Sequence, residues 1–113
     1  MKNRSKKLIP EDIRQQAELI ISSFNEKDLG GTDIRYIPRF KGRCLFLDRS
    51  SYGKKASPIC RLEYTGKFVA WKFAIFRYSD MNYDSGAFMF PGAEVFDGTI
   101  ESAMVAGLDT YAP

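Results

Sequence analysis

Apolar residues along the chain recur first with a helical period, then with a period of two, then without period in an aromatic stretch, and finally with a helical period again. Ile13, Ala17, Ile20, Ile21 and Phe24 fall on one stripe, the spacing of an amphipathic helix. Pro10-Glu11-Asp12 supplies its start, with proline in the first turn and carboxylates at the positive end of the helix dipole. Gly30-Gly31 follows its end, where glycine accepts a left-handed backbone.

From Asp33 the alternation changes. Ile34 to Phe40 and Arg43 to Arg49 flank Lys41-Gly42, which predicts a tight hairpin with Arg35 opposite Asp48. Pro38 has no backbone N–H to donate, so its strand belongs at a sheet edge. After the loop chemistry of Ser50 to Pro58, residues 59–64 alternate Cys60, Leu62 and Tyr64 with Arg61 and Glu63, a half-exposed strand. Thr65-Gly66-Lys67 then turns the chain into a strand over Phe68 to Phe76, with Val69, Trp71, Phe73 and Ile75 sharing one face. Residues 78–98 mix Tyr78, Tyr83, Phe88, Phe90 and Phe96 with glycine and proline, the composition of an ordered loop folded against the body. Asp97 or Thr99 caps a second helix whose stripe is Ile100, Ala103, Met104, Gly107, Leu108 and Tyr111.

The order is therefore helix, four mostly antiparallel strands, ordered aromatic loop and C-terminal helix. Both helices and the sheet have one apolar face to cover, which makes an α+β two-layer sandwich the expected fold. A length of 113 residues with 44% apolar composition fits a single domain over residues 8–113 behind a flexible basic tail at residues 1–7. That tail meets no apolar h-region of an export signal, and no apolar run approaches a membrane span, so the expectation is a cytoplasmic protein without a membrane partner.

The strings Arg43-Cys-Leu-Phe-Leu-Asp-Arg-Ser, Pro58-Ile-Cys-Arg-Leu-Glu-Tyr-Thr-Gly, Trp71-Lys-Phe-Ala-Ile and Phe90-Pro-Gly together resemble a group of small uncharacterised bacterial proteins. The resemblance covers most of residues 34–113 and implies a complete, stand-alone domain. It transfers no activity and no catalytic residue.

Charge changes the picture more than composition does. All 17 Lys and Arg lie in residues 1–77 against eight Asp and Glu, a balance of +9, while residues 78–113 carry six carboxylates and a balance of −6. Either a basic binding surface or internal complementarity follows. Within residues 35–55 the basic side chains Arg35, Arg39, Lys41, Arg43, Arg49, Lys54 and Lys55 are opposed only by Asp48. Of these, Arg35, Arg39, Lys41, Arg43, Lys54 and Lys55 are candidate phosphate contacts, and Tyr36 and Tyr52 candidate stacking surfaces, for single-stranded nucleic acid. The competing reading is a solvated outer face of a half-buried hairpin.

The absence of histidine removes the usual general base and metal ligand, and no catalytic motif stands in its place. Asp80-Met-Asn-Tyr-Asp84 opens like a calcium loop but lacks its glycine and its bidentate glutamate, and Cys44 and Cys60 lack zinc-ligand spacing, so no metal and no cofactor are expected. Free thiols are the expectation for both cysteines. The chain thus reads as a non-catalytic binding domain. Phe88, Met89 and Phe90 are its candidate anchors for a protein partner or for self-association, a homodimer through an edge strand being compatible, with nucleic acid on the basic stretch as the alternative.

Overall fold

The computed structural model describes residues 8–86 and 90–113. Helix α1, Glu11–Lys27, starts behind Pro10 with Glu11 and Asp12 in its first turn, and buries Ala17, Ile21 and Phe24. It ends at Lys27, where the N–H groups of Asp28 and Leu29 both donate to Phe24 O, and the turn that follows carries Gly31 at a φ of 83°. Five strands follow in antiparallel meander order: β1 Ile34–Lys41, β2 Cys44–Ser51, β3 Ser57–Glu63, β4 Lys72–Arg77 and β5 Asn82–Asp84. Helix α2, Ile100–Thr110, closes the chain and presents Ile100, Ala103, Met104, Ala106 and Gly107 to the interior. The α+β class is as the pattern predicts, with one more strand than expected.

Both helices pack on the same side of the sheet. Ile21, Phe24, Ala103 and Met104 meet Tyr36, Leu45, Leu47, Leu62 and Ile75 in one apolar cluster. Gly107 lies so close to the sheet that a Cβ there would stand 2.5 Å from the Tyr36 hydroxyl and 2.7 Å from Ile59 Cγ2. The aromatic loop folds back as expected, Phe90 and Phe96 stacking on Phe73 at 5.7 and 4.9 Å between ring centres.

Three local expectations need correction. The β1–β2 turn is Gly42-Arg43, with Gly42 taking the left-handed φ of 61° that the first turn position requires, so Arg35 faces Ser50 and Ile37 faces Asp48. This two-residue shift preserves the face of every side chain, and it is Arg39, diagonal to Asp48, that makes the ion pair. The fourth strand begins at Lys72 and not at Phe68, because residues 67–70 form a turn in which Ala70 N–H donates to Lys67 O and the Trp71 indole donates to Phe68 O. Val69, expected inside, is left 64% exposed. Finally, Asn82–Asp84 leaves the loop to pair with β4, adding an edge strand too short for its alternation to be visible in sequence. Pro38 does lie on an edge strand.

Candidate functional site

With both helices on one side, the alternation of each strand sends its other set of side chains to a face that neither helix covers. The strand register places Arg35, Ile37, Arg39 and Lys41 of β1 on that face, with Phe46 and Asp48 of β2 beside them. Arg61 and Glu63 of β3 continue it, followed by Lys72, Ala74 and Phe76 of β4 and Tyr83 of β5. Five cations on these strands thus stand against the two carboxylates Asp48 and Glu63.

The centre of the face is aromatic. Phe46 and Tyr83 meet edge to face at 5.3 Å, and Tyr83 meets Phe76 in the same way at 4.9 Å. Phe46 and Tyr83 belong to β2 and β5, with β3 and β4 between them, and the small, buried Ala74 of β4, in register with Arg61 and Phe46, leaves room for that contact. Two of the three rings carry a guanidinium: Arg39 lies 4.8 Å over Phe46 and Arg61 5.5 Å over Tyr83. Asp48 holds Arg39 in place through two hydrogen bonds, 2.6 Å from Nε and 3.2 Å from Nη2. The Arg39 carbon chain and the neighbouring strands leave Asp48 13% exposed, whereas Arg39 itself stays 51% exposed. Burial pushes the Tyr83 phenol up from its ordinary pKa, and the nearby Arg39 cation partly offsets that. Arg39 is in turn held more firmly protonated by its hydrogen bond to Asp48.

The residues singled out from sequence are dispersed. Arg35, Arg39 and Lys41 are on the open face. Arg43 is in the hairpin turn, where its Nε donates to Tyr64 O. Tyr52, Lys54 and Lys55 are exposed in the β2–β3 loop. Tyr36 is not a stacking surface: it is 1% exposed, its ring packs on Phe24, and its hydroxyl donates to Met104 O at 2.7 Å. Alternation carried the signal, because Tyr36 has the opposite parity to Arg35 and Arg39. Phe90 is half-buried against Phe73, and Phe88 and Met89 lie outside the described residues, as does the basic tail at residues 1–7.

Arg61, Lys72 and Tyr83 are the members that sequence reasoning missed as a site, and Phe46, an aromatic interleaved in the basic stretch, was passed over for stacking in favour of Tyr36 and Tyr52. Arg61 appeared only as a polar position of a half-exposed strand, and Tyr83 lay in the stretch without a period. Asp80 and Asp84, the oxygens of the calcium-loop-like string, both face Arg77, at 3.5 and 3.0 Å. Among the described residues no three His, Cys, Asp or Glu side chains converge to hold a metal ion. No described helix is long and apolar enough to cross a membrane. Cys44 and Cys60 are free thiols on opposite faces, since Cys60 pairs with Leu47 rather than Cys44.

Compared with protein-family models, with curated proteins and with solved structures, the chain matches none.

Proposed function

We propose that the open face of the sheet binds single-stranded nucleic acid, with Phe46 and Tyr83 as the surface on which bases stack and Arg35, Arg39, Lys41, Arg61 and Lys72 as contacts to phosphates. The observation that carries this reading is the central pair of guanidinium-covered rings, Arg39 over Phe46 and Arg61 over Tyr83, on a helix-free face with a cationic surplus. Arginine planes and aromatic faces are the two surfaces on which unpaired bases stack, and both tolerate any base.

The acidic last third does not compete for these cations where its ion pairs are placed. Asp80 and Asp84 pair with Arg77, and Asp97 accepts from Thr99 at the start of α2, on the helix side of the sheet. The charge asymmetry of the sequence is thereby partly internal, at Arg77, and partly a surplus carried on the open face.

Titration of fluorescently labelled single-stranded RNA and DNA at about 50 and 200 mM salt tests the proposal. Five phosphate contacts at a slope near −0.7 each predict binding about 130-fold weaker at the higher salt. Absence of binding at the lower salt overturns it.

A further inference from the structure

We infer that the pocket beside the β2–β3 loop takes the terminal phosphomonoester of the bound strand; this rests on the open-face reading and extends it from the strand's bases to its end. The pocket is a cavity of about 230 Å³ whose lining includes Arg49, Ser51, Lys54, Lys55, Ser57 and Tyr111.

Arg49 is the anomaly that marks it. The residue is 7% exposed on the helix side of β2, and its guanidinium donates to Gly107 O at 3.2 Å and to Tyr111 O at the C-terminal end of α2. The guanidinium also lies 5.9 Å from the centre of the Tyr36 ring. Among the described residues no carboxylate pairs with it. Carbonyl dipoles at a helix C-terminus favour a cation but leave its full charge unneutralised. Capping α2 accounts for Arg49 alone. It does not account for Lys54 and Lys55, which stand exposed at the same cavity without an ion pair among the described residues, or for the two serine hydroxyls there. Three cations and two hydroxyl donors around one cavity ask for a compact, multiply charged acceptor. A terminal phosphomonoester carries between one and two negative charges at neutral pH and three strong acceptor oxygens, more than the single charge of a phosphodiester within a strand.

Position links the pocket to the open face. From Phe46 and Tyr83 the ring contacts continue through Phe76 to Tyr78 at 4.9 Å and from Tyr78 to Tyr111 at 5.3 Å. Tyr78, 41% exposed and fixed by its hydroxyl donating to Pro58 O at 2.6 Å, lines the pocket itself. Phe76 in the middle of this series is itself only 6% exposed, so a strand passing from the face to the pocket meets Tyr83 and then Tyr78, the two rings that Phe76 joins from beneath. Volume alone does not select the site. A roomier cavity of about 510 Å³ near the Gly30-Gly31 turn has Arg35 as its one basic lining residue, and the Asn25 amide there is already engaged by the Tyr36 backbone.

The test compares single strands of about ten nucleotides bearing a 5′-phosphate, a 3′-phosphate or hydroxyl ends, at about 100 mM salt, on the wild-type chain and on Lys54→Ala/Lys55→Ala. Wild-type protein should bind one phosphorylated end about fivefold or more tighter than the hydroxyl-ended strand. The double variant should lose that preference and bind the hydroxyl-ended strand as before. Equal binding of all three strands overturns the pocket and leaves the open face standing; no binding of any strand overturns both. Inorganic phosphate, titrated separately and followed through the amide signals of Ser51, Lys54 and Ser57, separates the sources. Shifts there as large as those caused by the phosphorylated strand, together with equal binding of all strands, assign the pocket to free phosphate and overturn the strand-end proposal.

Discussion

Thr99 and Asp97 share the start of α2. The Thr99 hydroxyl accepts from Ser102 N–H at 3.2 Å, and Asp97 Oδ1 accepts from the Thr99 hydroxyl and backbone N–H at 2.7 and 3.2 Å. Both were legible as cap candidates, because short oxygen side chains before an apolar stripe have this use. Thr99→Ala should cost about 1 kcal/mol, read as a drop of about 4 °C in thermal midpoint. The hydrogen bonds from Thr99, then Ser102, hold the Asp97 carboxyl below the usual carboxylate range. A depressed folded-state pKa contributes stability above the unfolded value, near 3.9, that is lost as pH falls through the folded one. Thermal melts from about pH 6 to pH 3 should therefore show a smaller acid loss in Asp97→Asn than in wild type. The thiols make a second residue-scale prediction. Burial raises both Cys44 and Cys60, but Cys60 is enclosed while Cys44 is half-exposed. A thiol reagent should modify Cys44 in the folded protein and Cys60 only after denaturation; rapid labelling of both in the native state would contradict this placement. Tyr36 shows where residue-scale reading went astray. Its chemistry suggested stacking, whereas its parity along β1 already assigned it to the core.

At the scale of elements, periodicity was legible wherever an element was long. Both helices and the first three strands appear where the pattern puts them, within the usual looseness of ends. The turn between β1 and β2 moved by one residue, and the register by two, because Lys41-Gly42 and Gly42-Arg43 serve equally well by composition, and only the sheet decides. The strand expected from Phe68 lost its first four residues to a turn held by the Trp71 indole, a contact that alternation does not encode. Gly107 was placed on the α2 stripe by spacing, but its reason is the Tyr36 hydroxyl, fixed by its bond to Met104 O. Gly107→Ala gains about 1 kcal/mol of helix propensity and meets overpacking of about 1–3 kcal/mol. The contacts of 2.5 and 2.7 Å lie well inside van der Waals distance, so overpacking wins and denaturant unfolding should shift to lower concentration. A more stable Gly107→Ala protein would mean that α2 sits farther from the sheet.

Across the whole molecule, the sequence announced a basic hairpin and an acidic last third, but not the surface between them. The open face assembles side chains from all five strands, and its two central rings come from β2 and β5, which are 37 residues apart at Phe46 and Tyr83. No local pattern reports such a pairing. If the rings stack on bases, Phe46→Ala and Tyr83→Ala should each cost about 1–3 kcal/mol of binding. Tyr83→Phe, which keeps the ring, should bind nearly as wild type. Arg61→Ala/Lys72→Ala should flatten the salt dependence by about 1.4 in the logarithmic slope, the share of two phosphate contacts.

The measurement closest to the central claim is a two-dimensional amide NMR titration of the protein with a short single-stranded RNA. Binding through the open face predicts shifts concentrated at Ile37, Arg39, Phe46, Arg61, Lys72 and Tyr83, with the amides of Ala17, Ile21 and Ala103 on the helix side unmoved. Shifts confined to the helices, or none at low salt, would contradict it.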